Sequence, residues 1–524
     1  MKRACLVLAA ALLSQTALAA PPADLAQRVE ALRKSSGTPG AAIAIVEDGR
    51  TTFARGFGVT DLAASRPVDT DTLFFTGSTG KAFTSAALAI LVDQGKIKWD
   101  DKVIDHMPDF RLWDAWVTRE FTIRDLLVHR SGLGLGAGDL LFVPRSNLTR
   151  KEIVRRLRFI PPATSFRSSY AYDNVLYVVA GQLIEEVSGQ SWEQFMLRNV
   201  LRPAGMKRTT VDAAGRAAAG NVARPHARVI GVIRGAGEQG PLGPEAVIPA
   251  NAAPAGGLSV SAEDMSKWLT LQLAQGDLPG EARLFSEAQA KEMWTPQVLM
   301  PISPWPEPIR QTQATFSTYA LGWNVRDYHG AKIVLHGGGV FGSITQVVLI
   351  PEKNVGFSIM MNSEESGMLA GLTYELIDHY LGRPRGQWPE AFTAFLDTRQ
   401  KEAIAFLQTP AAQPAKVGPS LALARYAGDY KDPWFGTIKI REKAGKLAVE
   451  FPHWPGLGAT LDHHQYETFR TRFNDPVDEP AYVTFALDAE GKVARITMQP
   501  VSPIADFSYD YRDLDFAPVT AAAN

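Results

Sequence analysis

Ser78 and Lys81 stand three residues apart in FTGSTGKAFTS, the stretch from Phe75 to Ser85, and the pair can do chemistry that neither residue does alone. Residues three apart on a helical turn share one face, so the lysine nitrogen sits beside the serine hydroxyl. The N-terminal end of a helix adds positive potential and unpaired N–H groups, both of which favour an alkoxide or oxyanion. Those are the needs of an acyl-accepting serine. Two other readings of the stretch fail. A phosphate-cradling loop needs Gly-x-x-x-x-Gly-Lys followed by Ser or Thr, yet Ala82 follows Lys81 and Phe75 holds the first glycine position. A nucleophile elbow needs Gly-x-Ser-x-Gly, and Thr76 occupies its first position. A capping serine beside a solvated lysine would be the inert interpretation, but no other Ser-x-x-Lys pair occurs in the chain.

Two later segments supply partners. FRSSYAYDNVLYVVAG offers Tyr172-x-Asn174 at the start of a helical stretch, and VLHGGGVFGS offers His336-x-Gly338 at the end of a strand. A phenol beside Lys81 can act as general base for Ser78 and then as acid for the leaving group. Asn174 can fix Lys81 and a substrate amide through hydrogen bonds. The run Gly337, Gly338, Gly339 lets substrate approach the backbone closely, and the Gly339 N–H can pair with that of Ser78 as an oxyanion hole.

In this order, the three motifs resemble those of the penicillin-recognising serine hydrolases, on the branch holding class C β-lactamases, D-alanyl-D-alanine carboxypeptidases, D-aminopeptidases and β-lactamase-like esterases. The class A version pairs Ser-x-x-Lys with Ser-Asp-Asn and Lys-Thr-Gly instead. Supporting phrases also match at LLVHRSGL (from Leu126), AGGLSVSAEDMSKW (from Ala255) and FGSITQVVLIPEKNVGFSIMMN (from Phe341). The similarity covers residues 25 to 382, and residues 419 to 524 are similar to the lipocalin-like β domain of many bacterial relatives. The resemblance implies a β-lactamase/transpeptidase-like fold and acyl-enzyme chemistry on esters, amides or peptides, with a weak β-lactamase as one alternative and a non-catalytic wall-peptide binder as another. One departure matters. Class C β-lactamases carry lysine where this chain has His336, and a neutral imidazole holds the carboxylate of a penicillin less well than a fixed cation does.

The elements that must position these residues form an α+β pattern. Leu25 to Arg33 has helical spacing, and the segment from Ala41 reads as a hairpin about Glu47-Asp48-Gly49. Mostly helices and long loops follow to about Leu273, then strands return at AKIVLH, SITQVVLI and VGFSIMMN before a helix from Met368 to Leu381. This predicts an antiparallel sheet flanked by helices and interrupted by a helical insertion, in a hydrolase domain over residues 22–384. Residues 385–418 read as a helix and linker, and 419–524 as short strands with turns, a small all-β barrel or sandwich.

The remaining signals narrow the classes. Lys and Arg number 54 against 55 Asp and Glu, a net charge of -1, which gives no electrostatic reason to expect nucleic acid or an anionic membrane. A small-molecule or peptide substrate is expected, and self-association is left open. Residues 1–19 read as an export signal, with a basic start, an apolar stretch too short to span a bilayer, and small residues at Ala17 and Ala19. A periplasmic or secreted location follows as an expectation. The single cysteine, Cys5, lies in that signal, so thiol chemistry and disulfides are excluded from the mature chain. No cofactor and no metal is expected: His463-His464 reads as a solvated pair for want of a third ligand at a recognised spacing. The glycines from Ser131 to Asp139 lack a βαβ context and read as a turn or cleft-edge loop. Tyr170 lacks the Asn spacing of Tyr172 and reads as loop packing, while Trp305 suits cleft lining or packing equally.

Overall fold

The computed structural model describes residues 20–244, 246–280, 282–409 and 413–519. The expected export signal at 1–19 and linker residues 410–412 lie outside the described residues. An initial helix α1 (Leu25–Ser36) leads into the hairpin β1 (Gly40–Glu47) and β2 (Arg50–Gly58). Residues 59–297 carry the helical insertion, including α2 (Lys81–Asp93), α3 (Asn174–Ser188) and α4 (Ala262–Leu273). The chain then returns to the sheet through β3 (Val298–Leu299), β4 (Ser317–Tyr319), β5 (Asn324–Tyr328), β6 (Ala331–Val340), β7 (Ser343–Ile350) and β8 (Val355–Met361). Strand order is β2-β1-β8-β7-β6-β5-β4-β3, antiparallel throughout. Helices α5 (Ser366–Tyr380) and α6 (Trp388–Leu407) follow, as the periodicity predicts.

Every residue of β1 is buried, and alternation sends its side chains to opposite faces of the sheet. Ala42, Ala44 and Val46 join the core beneath the helical insertion, with Phe83 and Trp268. Ala41, Ile43 and Ile45 face α1 and α5 through Val29, Leu32, Leu372 and Leu376. A strand covered on both sides needs no polar alternation, which is why AAIAIV is continuously apolar. The same logic applies to α2, whose residues from Lys81 to Leu91 are all buried, so the helix is enclosed rather than amphipathic.

The decisive feature of the sheet is a register mismatch on β6. Its residues Ala331–Leu335 pair with β5, whereas Val334–Val340 pair with β7. From His336 onward the β5 side of β6 is therefore an open edge. The strand does not end at His336, as its sequence suggests, but runs through the three glycines to Val340.

The C-terminal strands β9 (Gly428–Asp432), β10 (Gly436–Lys443), β11 (Lys446–Glu450), β12 (Gly458–Gln465), β13 (Thr468–Phe473), β14 (Ala481–Leu487), β15 (Val493–Pro500) and β16 (Asp515–Pro518) close into a barrel. Inward residues such as Ile438, Ile440, Leu447, Val449, Phe485 and Phe516 fill it, so of the two architectures expected the barrel is the one formed. Among the described residues, no helix is long and apolar enough to cross a membrane.

Candidate active site

Ser78 lies on a short 3-10 turn, Gly77–Gly80, that feeds directly into α2 at Lys81. The sequence suggested an α-helical turn. The tighter 3-10 geometry has three residues per turn, so side chains three apart eclipse, which brings Ser78 and Lys81 into closer register. Thr76 anchors the turn: its hydroxyl donates to the carbonyls of Gly256 (3.1 Å) and Leu258 (3.0 Å), and its carbonyl accepts from Thr345 (2.7 Å) and Thr79 (2.9 Å). Ser78 is the partly exposed residue in a buried run from Thr72 to Ser85.

Lys81 is fully buried. Its Nζ donates to Ser78 Oγ at 2.9 Å, to Asn174 Oδ1 at 2.6 Å and to the Ala255 carbonyl at 3.0 Å. Asn174 opens α3, and Ala255 ends a short turn, residues 250–255, wedged against that helix. The wedge requires Gly181, where a Cβ would fall 2.1 Å from Pro254 Cγ. Asn174 Nδ2 in turn donates to Asp139 Oδ2 at 2.8 Å, so one of its two amide hydrogens is committed inside the protein. Burial lowers the Lys81 ammonium to about 7, with the Asp139 charge opposing that shift. Burial likewise raises Asp139 to about 7, against the hydrogen bonds of Asn174 and Ser508 and the charge of Lys81. Buried titratable groups shifted in this way mark a candidate functional site.

Tyr172 lies over this pair, with Lys81 Nζ 4.8 Å from its ring centroid. Its hydroxyl faces Ser78 without completing a hydrogen bond of normal geometry. Burial holds the phenol well above its ordinary range, with Ser78 pulling weakly the other way. His129 backs the ring at 4.1 Å between centroids and accepts from the Asp173 N–H at 3.0 Å. Burial, with the neighbouring Lys81 charge, keeps the His129 imidazole well below its usual value.

The loops bearing His129 and Tyr172 are tied together by Asp125, whose carboxylate is fully buried. It accepts from Arg130 Nε (2.8 Å), Arg167 Nη2 (2.5 Å) and both the N–H (3.0 Å) and hydroxyl (2.7 Å) of Thr122. Burial alone would raise this acid, yet Arg167, Thr122 and Arg130 hold it below its usual range. A carboxyl lowered on folding contributes stability above its unfolded pKa of about 3.9, and that stability is lost as pH falls through the folded value. Asp125→Ala is expected to cost about 2 kcal/mol in urea unfolding at pH 7, because it removes a buried carboxylate that accepts from Thr122 and from two partly exposed arginines. A change below about 1 kcal/mol, the range of exposed pairs, would show that the cluster is not a structural tie.

The glycine run of β6 packs against the nucleophile turn. A Cβ on Gly338 would meet the Thr76 carbonyl at 2.0 Å, Thr345 Oγ1 at 2.5 Å and the Ser78 nitrogen at 3.0 Å. One on Gly77, whose φ is +50°, would meet the Gly339 nitrogen at 2.5 Å. The Ser78 and Gly339 nitrogens thus lie near one another where the backbone reaches the surface, and a Cβ on Gly339 would meet nothing within 4 Å among the described residues. Gly337 points the other way in the pleat, towards Gln346. His336 is buried, with Nδ1 2.6 Å from the Gly337 carbonyl and Nε2 2.7 Å from the Tyr319 hydroxyl. A carbonyl only accepts, so Nδ1 carries the proton and Nε2 accepts from Tyr319. Burial and the Lys81 charge lower His336 to about 4, leaving it neutral at physiological pH.

Ser78, Lys81, Tyr172, Asn174, His336, Gly338 and Gly339 therefore converge at one place, whereas Gly337, also selected from sequence, turns away from it. Tyr170 packs at the rim, 5.8 Å from His129 and 5.9 Å from Tyr319 between ring centroids. Trp305 packs edge-on to Phe392 at 6.0 Å, on the far face of the sheet, so the packing alternative describes it. His463 is exposed, its Nε2 2.9 Å from the Tyr466 carbonyl, and among the described residues no group of three or more His, Cys, Asp or Glu is placed to hold a metal. Sequence reasoning missed Asp139, His129, Tyr319 and Ser508. Asp139 ends the glycine-rich loop already singled out, and that was its only signal. Ser508 had none.

The family described as Beta-lactamase matches residues 25–381, and one described as a domain of unknown function (DUF3471) matches residues 412–518. The curated protein Unguisins hydrolase ungD of Aspergillus violaceofuscus is 31% identical over 432 residues, 77% of this chain and 73% of that protein. Penicillin-binding protein 4 of Amycolatopsis lactamdurans is 28% identical over 70% of this chain and 91% of its own length. Among solved structures, the octameric penicillin-binding protein homologue from Pyrococcus abyssi aligns over 91% of this chain and 97% of its own, with a TM-score of 0.56 and 20% identity. The crystal structure of SurE covers 94% of this chain and 98% of its own, with a TM-score of 0.53 and 20% identity. At that identity the two structures establish the fold alone.

Proposed function

Since the chain belongs to the Beta-lactamase family, whose members are serine hydrolases, we propose that it is an exported acyl-enzyme hydrolase acting on esters or amides, of esterase or D-amino-acid peptidase type. The observation that carries this reading is the fully buried Lys81 amine 2.9 Å from the Ser78 hydroxyl. An amine lowered to about 7 by burial is largely neutral above that pH and can accept the serine proton as Ser78 Oγ attacks a carbonyl carbon. The developing oxyanion is received by the Ser78 and Gly339 N–H groups. Tyr172, kept protonated by burial, is a proton donor to the leaving group rather than the initial base. It recovers its proton from Lys81, after which water attacks the acyl-enzyme and Lys81 serves as base again. Asn174 holds Lys81 in place through its carbonyl oxygen.

Neutral His336, engaged with Tyr319 and Gly337, offers no fixed cation for a penicillin carboxylate. This favours esters and peptides over β-lactams as the main substrates. Export is part of the reading and rests on the pattern of residues 1–19. The purified protein is expected to turn over a short-chain ester or a D-alanyl dipeptide at least tenfold faster than a chromogenic cephalosporin, with a Ser78→Ala control silent on all three. Preferential cephalosporin turnover would reverse the substrate assignment, and turnover of none would leave the fold as a binding protein.

A further inference from the structure

We propose that Ser508, which belongs to the C-terminal barrel domain, is a positioning residue of the hydrolase centre, acting through Asp139 and Asn174 on Lys81. The inference rests on the acyl-enzyme reading above and adds a second domain to its machinery.

Ser508 Oγ donates to Asp139 Oδ2 at 2.8 Å, the same oxygen that receives Asn174 Nδ2 at 2.8 Å. Asn174 Oδ1 then meets Lys81 Nζ at 2.6 Å, and Lys81 meets Ser78 at 2.9 Å. Four hydrogen bonds in series join the barrel to the nucleophile, the first of them, Ser508 to Asp139, made between residues 369 apart in sequence. Asp139 Oδ1 is buried and has no hydrogen-bond partner among the described residues. Oδ2 therefore carries the whole anchoring of the carboxylate, and half of that anchoring comes from the other domain.

The segment bearing Ser508 is held in place from several sides. Asp506 Oδ1 accepts from the Ser508 N–H at 2.9 Å. Phe507 stands edge-on to Tyr172 at 5.9 Å, and Tyr509 stacks on Phe341 at 5.8 Å. Gly136, with φ of +74°, lets the Phe507 carbonyl approach where a Cβ would lie 2.6 Å away. On the other side of Asp139, Trp454 Nε1 donates to the Leu140 carbonyl at 3.1 Å. The barrel thus grips the loop carrying Asp139 at both ends.

The orientation of Asn174 shows why this matters. Its amide must turn oxygen towards Lys81 and nitrogen towards Asp139, because an amide nitrogen cannot accept from an ammonium. Charged Lys81 enforces that choice as well; once Lys81 is neutral and can accept an N–H, the choice rests on Asp139 being an acceptor. Buried as it is, the carboxyl already inclines towards its protonated form; Lys81 opposes that, and Asp506 reinforces it. A protonated Asp139 would donate to the amide oxygen and allow Asn174 to flip, turning N–H groups onto Lys81. The Ser508 hydroxyl, as a second donor to Oδ2, keeps the carboxylate in its accepting form.

The test compares the full-length protein with its Ser508→Ala, Ser508→Thr and Asp139→Asn variants, measuring the rate of covalent labelling of Ser78 by a fluorophosphonate, ester kcat and KM, and melting temperature. Ser508→Ala is expected to slow labelling and lower kcat about tenfold, the effect of losing a hydrogen bond to a charged group, with KM changed less than kcat. Ser508→Thr, which keeps the hydroxyl, should restore most of the rate, and Ser508→Ala should add little in the Asp139→Asn background. Equal labelling of wild type and Ser508→Ala would overturn the inference while leaving the hydrolase reading intact. So would a Thr variant as slow as Ala, or a loss that tracks melting temperature. A wild-type protein that is not labelled would remove the hydrolase reading, and this inference with it.

Discussion

Lys81→Met is expected to slow acylation of Ser78 by about 10^4-fold, approaching the loss caused by removing the serine oxygen itself, because residues that act as one unit fail together. Its Nζ is the nearest base to Ser78 Oγ, and the neighbouring Tyr172 phenol is held protonated by burial. Methionine has similar length and no charge, but it strands the Asn174 Oδ1 and Ala255 carbonyl acceptors, so a stability loss of about 1–3 kcal/mol is expected beside the kinetic effect. The pH profile provides a second reading. In the wild type, kcat/KM should rise with pH through about 7 as Lys81 loses its proton, and the residual activity of the variant should lack that limb. Stability follows the same titration. The folded lysine is neutral from about 7 upward, whereas the unfolded one binds its proton to about 10.4, so stability rises with pH between those values. The slope should vanish in Lys81→Met. A variant within tenfold of wild type in fluorophosphonate labelling would assign the base to another group.

Gly338→Ala should be the most damaging single-methyl insertion at the site, lowering activity about 10^3-fold and stability by about 3 kcal/mol. The added Cβ would fall 2.0 Å from the Thr76 carbonyl and 3.0 Å from the Ser78 nitrogen, both backbone atoms that cannot rotate away. Only separation of β6 from the nucleophile turn relieves the clash, and that separation pulls the Gly339 and Ser78 amides apart. Removing an oxyanion donor typically costs about 10^2 to 10^3 in rate. Gly339→Ala is the matched comparison for folding, since its Cβ would meet nothing within 4 Å, and its melting temperature should stay near wild type. Circular dichroism melts of both variants check the pair. Equal stability of Gly338→Ala and wild type would mean that the strand and turn are not in contact as described.

Different parts of the molecule were legible in the chain to different degrees. The β1–β2 hairpin, α5 and the returning strands could be read because burial on one or both faces imposes a period that local sequence must obey. Ser78, Lys81, Tyr172 and Asn174 were legible because each pair is close in sequence and sits at the start of a helix, where short-range geometry already brings its side chains near one another. His336 was found by its place in the glycine strand, and the neutrality expected for it agrees with its burial beside Lys81. The end of β6 was misplaced because glycines weaken a strand signal, while here they are what lets the strand continue beside the Ser78 turn.

By itself, the sequence singled out the residues proposed for acyl transfer, an absence of thiols after Cys5, and a hydrolase-like α+β unit before a small β unit. Only the tertiary structure buries the Lys81 amine and the Tyr172 hydroxyl and brings Asp139 and Ser508 into the hydrogen-bond chain. The physical reason is that proton affinity depends on burial and on charges brought together from distant segments, and no local spacing encodes a contact made across two domains.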